Sequence, residues 1–212
     1  MPSDCAQKLI DGVVDIGLIP VAATLNMPYW EIVSNYCIGA VGAVNSVFIF
    51  SNCDISEVKN IQLDPESRSS NNLAKVLLKN YWKVTPEQIT NALDYTKNPD
   101  PNTAFVQIGD RTFGKKEQFK YVYDLAEEWQ NFTGLPFVFA AWIANKPISA
   151  DFIDEFNQSL KYGLDHRAEL IKSLPSRPDF DLEDYLMHKL DFSLTDDKRK
   201  ALHLFLDYIK AL

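Results

Sequence analysis

The chain has 212 residues, 46% of them hydrophobic and 24% charged, with 21 Lys+Arg against 29 Asp+Glu and a net charge of -8. That is enough apolar material for a core and too little charge for a disordered chain. It also speaks against nucleic-acid binding, which needs clustered Lys and Arg to neutralise phosphates. The longest apolar stretch, Phe137 to Ala144, falls far short of the roughly twenty residues of a membrane span. Met1 leads directly into Pro2, Ser3 and Asp4, so no secretory signal is read. Cys5, Cys37 and Cys53 form an odd set without CxxC spacing. They are expected as free, buried or half-buried thiols of a reducing cytoplasm, with no disulfide framework and no zinc site. His166, His188 and His203 have no partner at ligand spacing and read as surface or packing residues.

In chain order, Ser3 to Gly12 reads as a helix, capped by Ser3 or Asp4 and closed by Gly12. Val13 to Val21 is a nearly continuous apolar run, which predicts a strand buried on both faces, as in a parallel sheet. Tyr36 to Phe50 predicts an extended segment bent at Gly39 and Gly42, then a strand through Ser46 to Phe50. A helical turn at Ile55 to Lys59 and a short strand at Ile61 to Leu63 follow. The polar turn from Asp64 opens onto a helix carrying Leu73, Val76 and Leu77, and Pro86 to Leu93 predicts another helix. After a loop at 100–103, Phe105 to Ile108 and Tyr121 to Asp124 predict strands. Leu125 to Phe132 predicts a helix closed by Gly134, and Phe137 to Ile143 a strand. Ala150 to Leu174 reads as one long amphipathic helix, and Phe180 to Leu190 and Asp196 to Leu212 as two more. Asp196 and Asp197 sit on the stabilising side of the last helix dipole.

Alternating strands and helices mean an α/β fold. Two extended crossing segments, around 40–50 and 135–143, suggest two lobes with a ligand cleft between them. The first lobe would take 1–45 and 137–212, with the C-terminal helices, and the second 46–136.

Four segments could carry chemistry. In 64–72 (DPESRSSNN), the helix start offers free N–H groups and the positive dipole end. Ser67, Ser69 and Ser70 add hydroxyls and Arg68 a cation, a set suited to a carboxylate or phosphate. The plain alternative is a capping sequence with Arg68 in solvent. Gly109 and Asp110 end a buried strand, where glycine admits close approach of a ligand and the acid could bond a hydroxyl or cap a turn. The segment 39–46 (GAVGAVNS) lacks dinucleotide-binding order and offers Asn45 and Ser46 as contacts. The segment 133–142 reads as core strand or as the apolar wall of the cleft. Spacing contains no catalytic triad, metal cluster or phosphate loop, so no catalytic residue, metal or cofactor is assigned.

VDIGLIPVA (14–22), VGAVNSVFIFS (41–51), LDPESRSS (63–70), IGD (108–110) and DLAEEWQNFTGLPFVFAAW (124–142) resemble the menaquinone-biosynthesis enzymes of the futalosine pathway. The likeness is nearer to the chorismate dehydratase family than to the sister 1,4-dihydroxy-6-naphthoate synthases, and it spans most of the chain. The resemblance implies a type 2 periplasmic-binding-protein-like fold used as a cytoplasmic lyase without cofactors, acting on chorismate, with no nucleic-acid or membrane partner. A homodimer is among the assemblies it allows. It implies loss of water from chorismate to give 3-[(1-carboxyvinyl)oxy]benzoate, with Pro20, Asn45, Ser46, Ser67, Arg68, Ser69, Ser70, Gly109 and Asp110 around the substrate. It also implies a preceding strand-helix-strand with an S-Y-L-N-T-like motif, which this chain, starting at the following helix, does not contain. The alternatives are a non-catalytic small-anion binding protein of the same fold and a 1,4-dihydroxy-6-naphthoate synthase, the sister enzyme.

Overall fold

The computed structural model describes residues 2–89, 100–175 and 178–212, without the side chains of Pro2 and Ser3. Helix α1 (Pro2–Ile10) carries Asp4 in its first turn and Lys8 in its last, in accord with the dipole. It lies along strand β1 (Ile16–Pro20). A Cβ on Gly17 would come within 2.8 Å of Cys5 Sγ, so only glycine lets the two approach this closely. A 3-10 turn at Val21–Asn26 leads to β2 (Glu31–Ala40), and the chain then crosses to β3 (Val47–Ser51). Strand β4 (Asn60–Gln62) and helix α2 (Ser69–Val76), which runs into a π-helical turn at Leu77–Tyr81, come next. Strands β5 (Glu87–Ile89), β6 (Thr103–Ile108) and β7 (Tyr121–Asp124) precede helix α3 (Leu125–Thr133). The chain returns through β8 (Phe137–Ala144), α4 (Ala150–Asp165) and α5 (Arg167–Ser173). It ends with α6 (Leu182–Asp184), a π-helical turn at Tyr185–Lys189, β9 (Asp191–Ser193) and α7 (Asp196–Lys210).

Two sheets result. One has the order β1-β8-β2-β9 with every pair antiparallel; the other has the order β5-β4-β6-β3-β7, with β4 parallel to β5 and β6. One continuous apolar core joins them, with Ile19 and Val21 near β1, Ile49 on β3 and Val106 on β6. Its centre is Trp129 of α3, fully buried and packed edge-on against Phe137, Phe205 and Tyr208 at ring separations of 5.5, 5.8 and 6.1 Å. Strand β3 is buried at all five positions because its other face, Phe48 and Phe50, packs on Phe105 and Phe119. Among the described residues no helix is long and apolar enough to cross a membrane.

Three expectations are corrected. The run at 13–21 is not a central parallel strand: β1 is the edge strand of its sheet and antiparallel to β8, and Val13 is 69% exposed. A continuous apolar run reports cover on both faces and carries no information about pairing direction. The start of the helix expected at Pro86 to Leu93 is strand β5, recruited by β4 with Glu87 N donating to Lys59 O; residues 90–93 lie outside the described residues. The long helix at 150–174 breaks at His166, whose φ of -97° and ψ of 9° leave the helical region. The helix expected at 180–190 is present over 182–189, as the short α6 running directly into its π-helical turn.

Two buried charges fix the elements around the core. Lys198, 1% exposed, donates from Nζ to Asp191 O, Asp191 Oδ1 and Ser193 O at 2.8, 2.7 and 2.9 Å, using all three protons to bind β9 to α7. Asp124 caps α3 by accepting from Ala126 N and Glu127 N, and its other oxygen accepts from Asn45 N at 2.7 Å. It thereby ties the crossing at 41–46 to the start of α3. Burial pushes the Asp124 carboxyl above its ordinary value, against the opposing pull of the backbone amides of Asn45, Val44, Glu127 and Ala126.

Replacing Lys198 with Met keeps the side-chain length and removes the three donors. We expect a loss of about 1–3 kcal/mol from the carbonyls left unpaired. Faster amide hydrogen exchange confined to 191–194 should accompany it, and unchanged exchange there would refute the clamp. Asp124→Asn should cost a similar amount, about 1–3 kcal/mol, because the amide faces two N–H groups with an NH2. Since the folded pKa of Asp124 lies above the unfolded one, the native state binds this proton more tightly. Lowering the pH through the raised value therefore stabilises wild type relative to Asp124→Asn, an effect complete below the unfolded value. Paired thermal melts across this range check the sign.

Candidate functional site

The turn before α2 is built around Asp64, which is 2% exposed. Its carboxylate accepts from Glu66 N at 2.9 Å, from Ile108 N at 3.1 Å, and from one Arg111 nitrogen at 2.8 Å to each oxygen. The Asn71 side chain closes the turn on the Asp64 main chain. Asp64 is therefore a pin between the α2 start and the end of β6, with no capacity left for a ligand.

Ser67 acts as the helix cap, its Oγ accepting from Ser70 N at 3.1 Å. Ser69 is buried and accepts from Ala22 N at 3.3 Å, which brings the α2 start against the segment that follows Pro20. Pro20 is buried at the end of β1. At the α2 start the half-buried guanidinium of Arg68 and the hydroxyl of Ser70, a residue 3% exposed, make no hydrogen bond or ion pair to the described residues. The capping role thus falls to Ser67, and the helix start keeps a cation and a hydroxyl.

The crossing at 41–46 holds the next two residues. Asn45 has a φ of 60°, a left-handed conformation that Asn tolerates, and its side-chain oxygen accepts from Lys116 Nζ. Ser46 is 2% exposed; its carbonyl accepts from Gly109 N at 2.8 Å. Gly109 has a φ of 65°, and a Cβ there would meet nothing within 4 Å, so its backbone borders open space. Thr112 Oγ1 donates to Gly109 O at 2.8 Å, and Asp110 is exposed at the rim. Asp64 at Ile108 N and Ser46 at Gly109 N place the α2 start, 108–110 and 45–46 in one continuous network.

Sequence reasoning missed Tyr185. Its hydroxyl lies 2.9 Å from Ser46 Oγ, delivered by the π-helical turn from more than a hundred residues away. Burial pushes its phenol pKa up; the Ser46 bond opposes this, and the negative Asp110 and Asp124 add to it. Phe180 stacks on Phe113 with ring centroids 3.4 Å apart, and both rings meet Tyr185 edge-on, at 5.2 and 6.1 Å. A cavity of about 470 Å³ opens here, lined by Asn45, Thr112, Phe113, Lys116, Phe180 and Tyr185 among others. No signal in the sequence marked Tyr185, Arg111 or Lys116, since each acts across a long separation. Among the described residues no three His, Cys, Asp or Glu side chains converge to hold a metal. Cys37 is buried and its thiol pushed up to about 11 by burial, while His203 stacks on Trp30 and His166 sits at the helix break, so none of these joins the site.

Protein AF1704 from Archaeoglobus fulgidus matches with a TM-score of 0.73 at 14% identity, over 100% of this chain and 84% of that one. An ABC transporter protein from Parabacteroides distasonis matches with a TM-score of 0.62 at 15% identity, over 100% and 79%. The periplasmic aliphatic sulphonate binding protein SsuA from Escherichia coli matches with a TM-score of 0.55 at 13% identity, over 97% and 77%. At these identities the likeness is one of fold, and the fold is periplasmic-binding-protein-like, an α/β design with two sheets. A family model described as menaquinone biosynthesis matches residues 1–211, and the chain belongs to that menaquinone-biosynthesis family.

Proposed function

We propose that this protein is a hydro-lyase that dehydrates chorismate to 3-[(1-carboxyvinyl)oxy]benzoate in the futalosine route to menaquinone, working in the cytoplasm without a cofactor. Membership of the menaquinone-biosynthesis family supports an enzymatic role. The observation that carries the substrate assignment is the start of α2, where the side chains of Arg68 and Ser70 make no hydrogen bond or ion pair to the described residues. A cation at a helix N-terminus suits a carboxylate, and chorismate has two. In this reading the two sheets are the cores of two lobes, 1–45 with 137–212 and 46–136. Ser46, Gly109 and Asp110 face the cleft with Pro20, Asn45 and the 67–70 segment.

The chemistry asks little of the protein. Loss of the ring hydroxyl and a ring proton aromatises the substrate, so much of the driving force is in chorismate itself. The protein's part is to hold one conformer, exclude water and stabilise developing charge, which fits a site of hydroxyls, amides and one arginine. A second reading is a non-catalytic anion binder, favoured by the fold shared with a sulphonate binding protein.

Incubation with chorismate followed by chromatographic detection of the aromatic enol ether tests the reaction. Product formation supports the lyase, tight binding without turnover supports the binder, and the absence of both refutes the substrate. Arg68→Ala should weaken chorismate binding by about 1.5–3 kcal/mol, the range for a hydrogen bond to a charged group. An unchanged dissociation constant would remove Arg68 from the site.

A further inference from the structure

We propose that Tyr185, paired with Ser46, is a specificity-determining residue that reads the ring hydroxyl of the bound cyclic acid. This rests on the chorismate reading above and extends it to a part of the chain outside the segments that carried the resemblance. The geometry sorts ligand groups by charge. The free guanidinium of Arg68 stands at the α2 start, the end that takes a carboxylate. The charges acting on the Tyr185 phenol are the negative ones of Asp110 and Asp124, which disfavour a second carboxylate at this hydroxyl, while Lys116 and Lys189 line the cavity beside it. A neutral hydroxyl is the group that this end accepts.

The Ser46 and Tyr185 hydroxyls, 2.9 Å apart, share one hydrogen bond. One O–H of the pair therefore remains to donate, and lone pairs on both oxygens remain to accept. A ligand hydroxyl can use both functions at once. The phenol is protonated near neutral pH at its ordinary value and burial pushes that value further up, so it keeps its donor. Its position is set by the rings: Phe180 and Phe113 stack 3.4 Å apart and both meet Tyr185 edge-on. Ser46 is itself fixed through its carbonyl by Gly109 N. Tyr185 lines the cavity of about 470 Å³, which leaves room for a ring on its side of this pair.

Chorismate and its dehydration product provide the test, because the product keeps both carboxylates and lacks the ring hydroxyl. Dissociation constants for both are measured by stopped-flow protein fluorescence, before turnover, on wild type, Tyr185→Phe and Ser46→Ala. We expect Tyr185→Phe to weaken chorismate about tenfold, the ratio for one hydrogen bond, and to leave product affinity unchanged. Ser46→Ala should show the same selective loss, and thermal melts check that both variants fold. Equal loss for the two ligands assigns Tyr185 a structural role and overturns the proposal, as does no loss for either. If wild type binds chorismate and the variants bind it equally well, the proposal fails alone. If wild type binds neither ligand, the chorismate reading fails and takes this proposal with it.

Discussion

Asp64 organises the proposed site without touching a ligand. A carboxylate at 2% exposure is costly unless its lone pairs are filled, and here Glu66 N, Ile108 N and Arg111 fill them. The consequence is geometric. The turn that starts α2 cannot move relative to the end of β6, so Arg68, Ser70, Gly109 and Asp110 keep fixed relative positions. Arg111 also reaches Glu66 at 3.3 Å, yet that contact is solvent-exposed and contributes little beside the buried one.

The crossing at 41–46 works differently, by holding backbone in left-handed conformations. Gly42 has a φ of 77° and Asn45 one of 60°. Glycine adopts such angles freely, whereas Asn45 needs compensation, and Asp124 at its N–H and Lys116 at its side chain provide it. That conformation brings Ser46 to the start of β3 with its hydroxyl toward Tyr185. The same carboxylate starts α3, whose Trp129 centres the core. Site geometry and core packing thus share one residue.

The C-terminal quarter completes what the earlier sequence begins. Lys198 clamps β9 to α7, and the segment before β9 carries Phe180 and Tyr185 over 45–46 and 112–117. None of the residues of α6 or its π-helical turn is fully buried. The segment is held by ring stacking and one hydroxyl pair, weaker restraints than those on Asp64.

The sequence by itself determined the local features. A serine of 64–72 caps α2, Gly134 ends α3 in a left-handed turn, and the runs read as strands at 46–50, 105–108 and 137–143 lie in β3, β6 and β8 to within a residue or two. Each of these rests on interactions within a few residues, which spacing and residue type report directly. The sequence also marked the α2 start as a candidate anion site, because its cation and hydroxyls are contiguous. Tertiary structure decided the rest: the edge position of β1, the recruitment of Glu87–Ile89 as a strand, and the break at His166. It alone decided that Asp64 is a pin and that Tyr185 reaches Ser46 across 139 positions. Those outcomes depend on which partners fill hydrogen bonds over long separations, and neither periodicity nor local propensity encodes a partner's address.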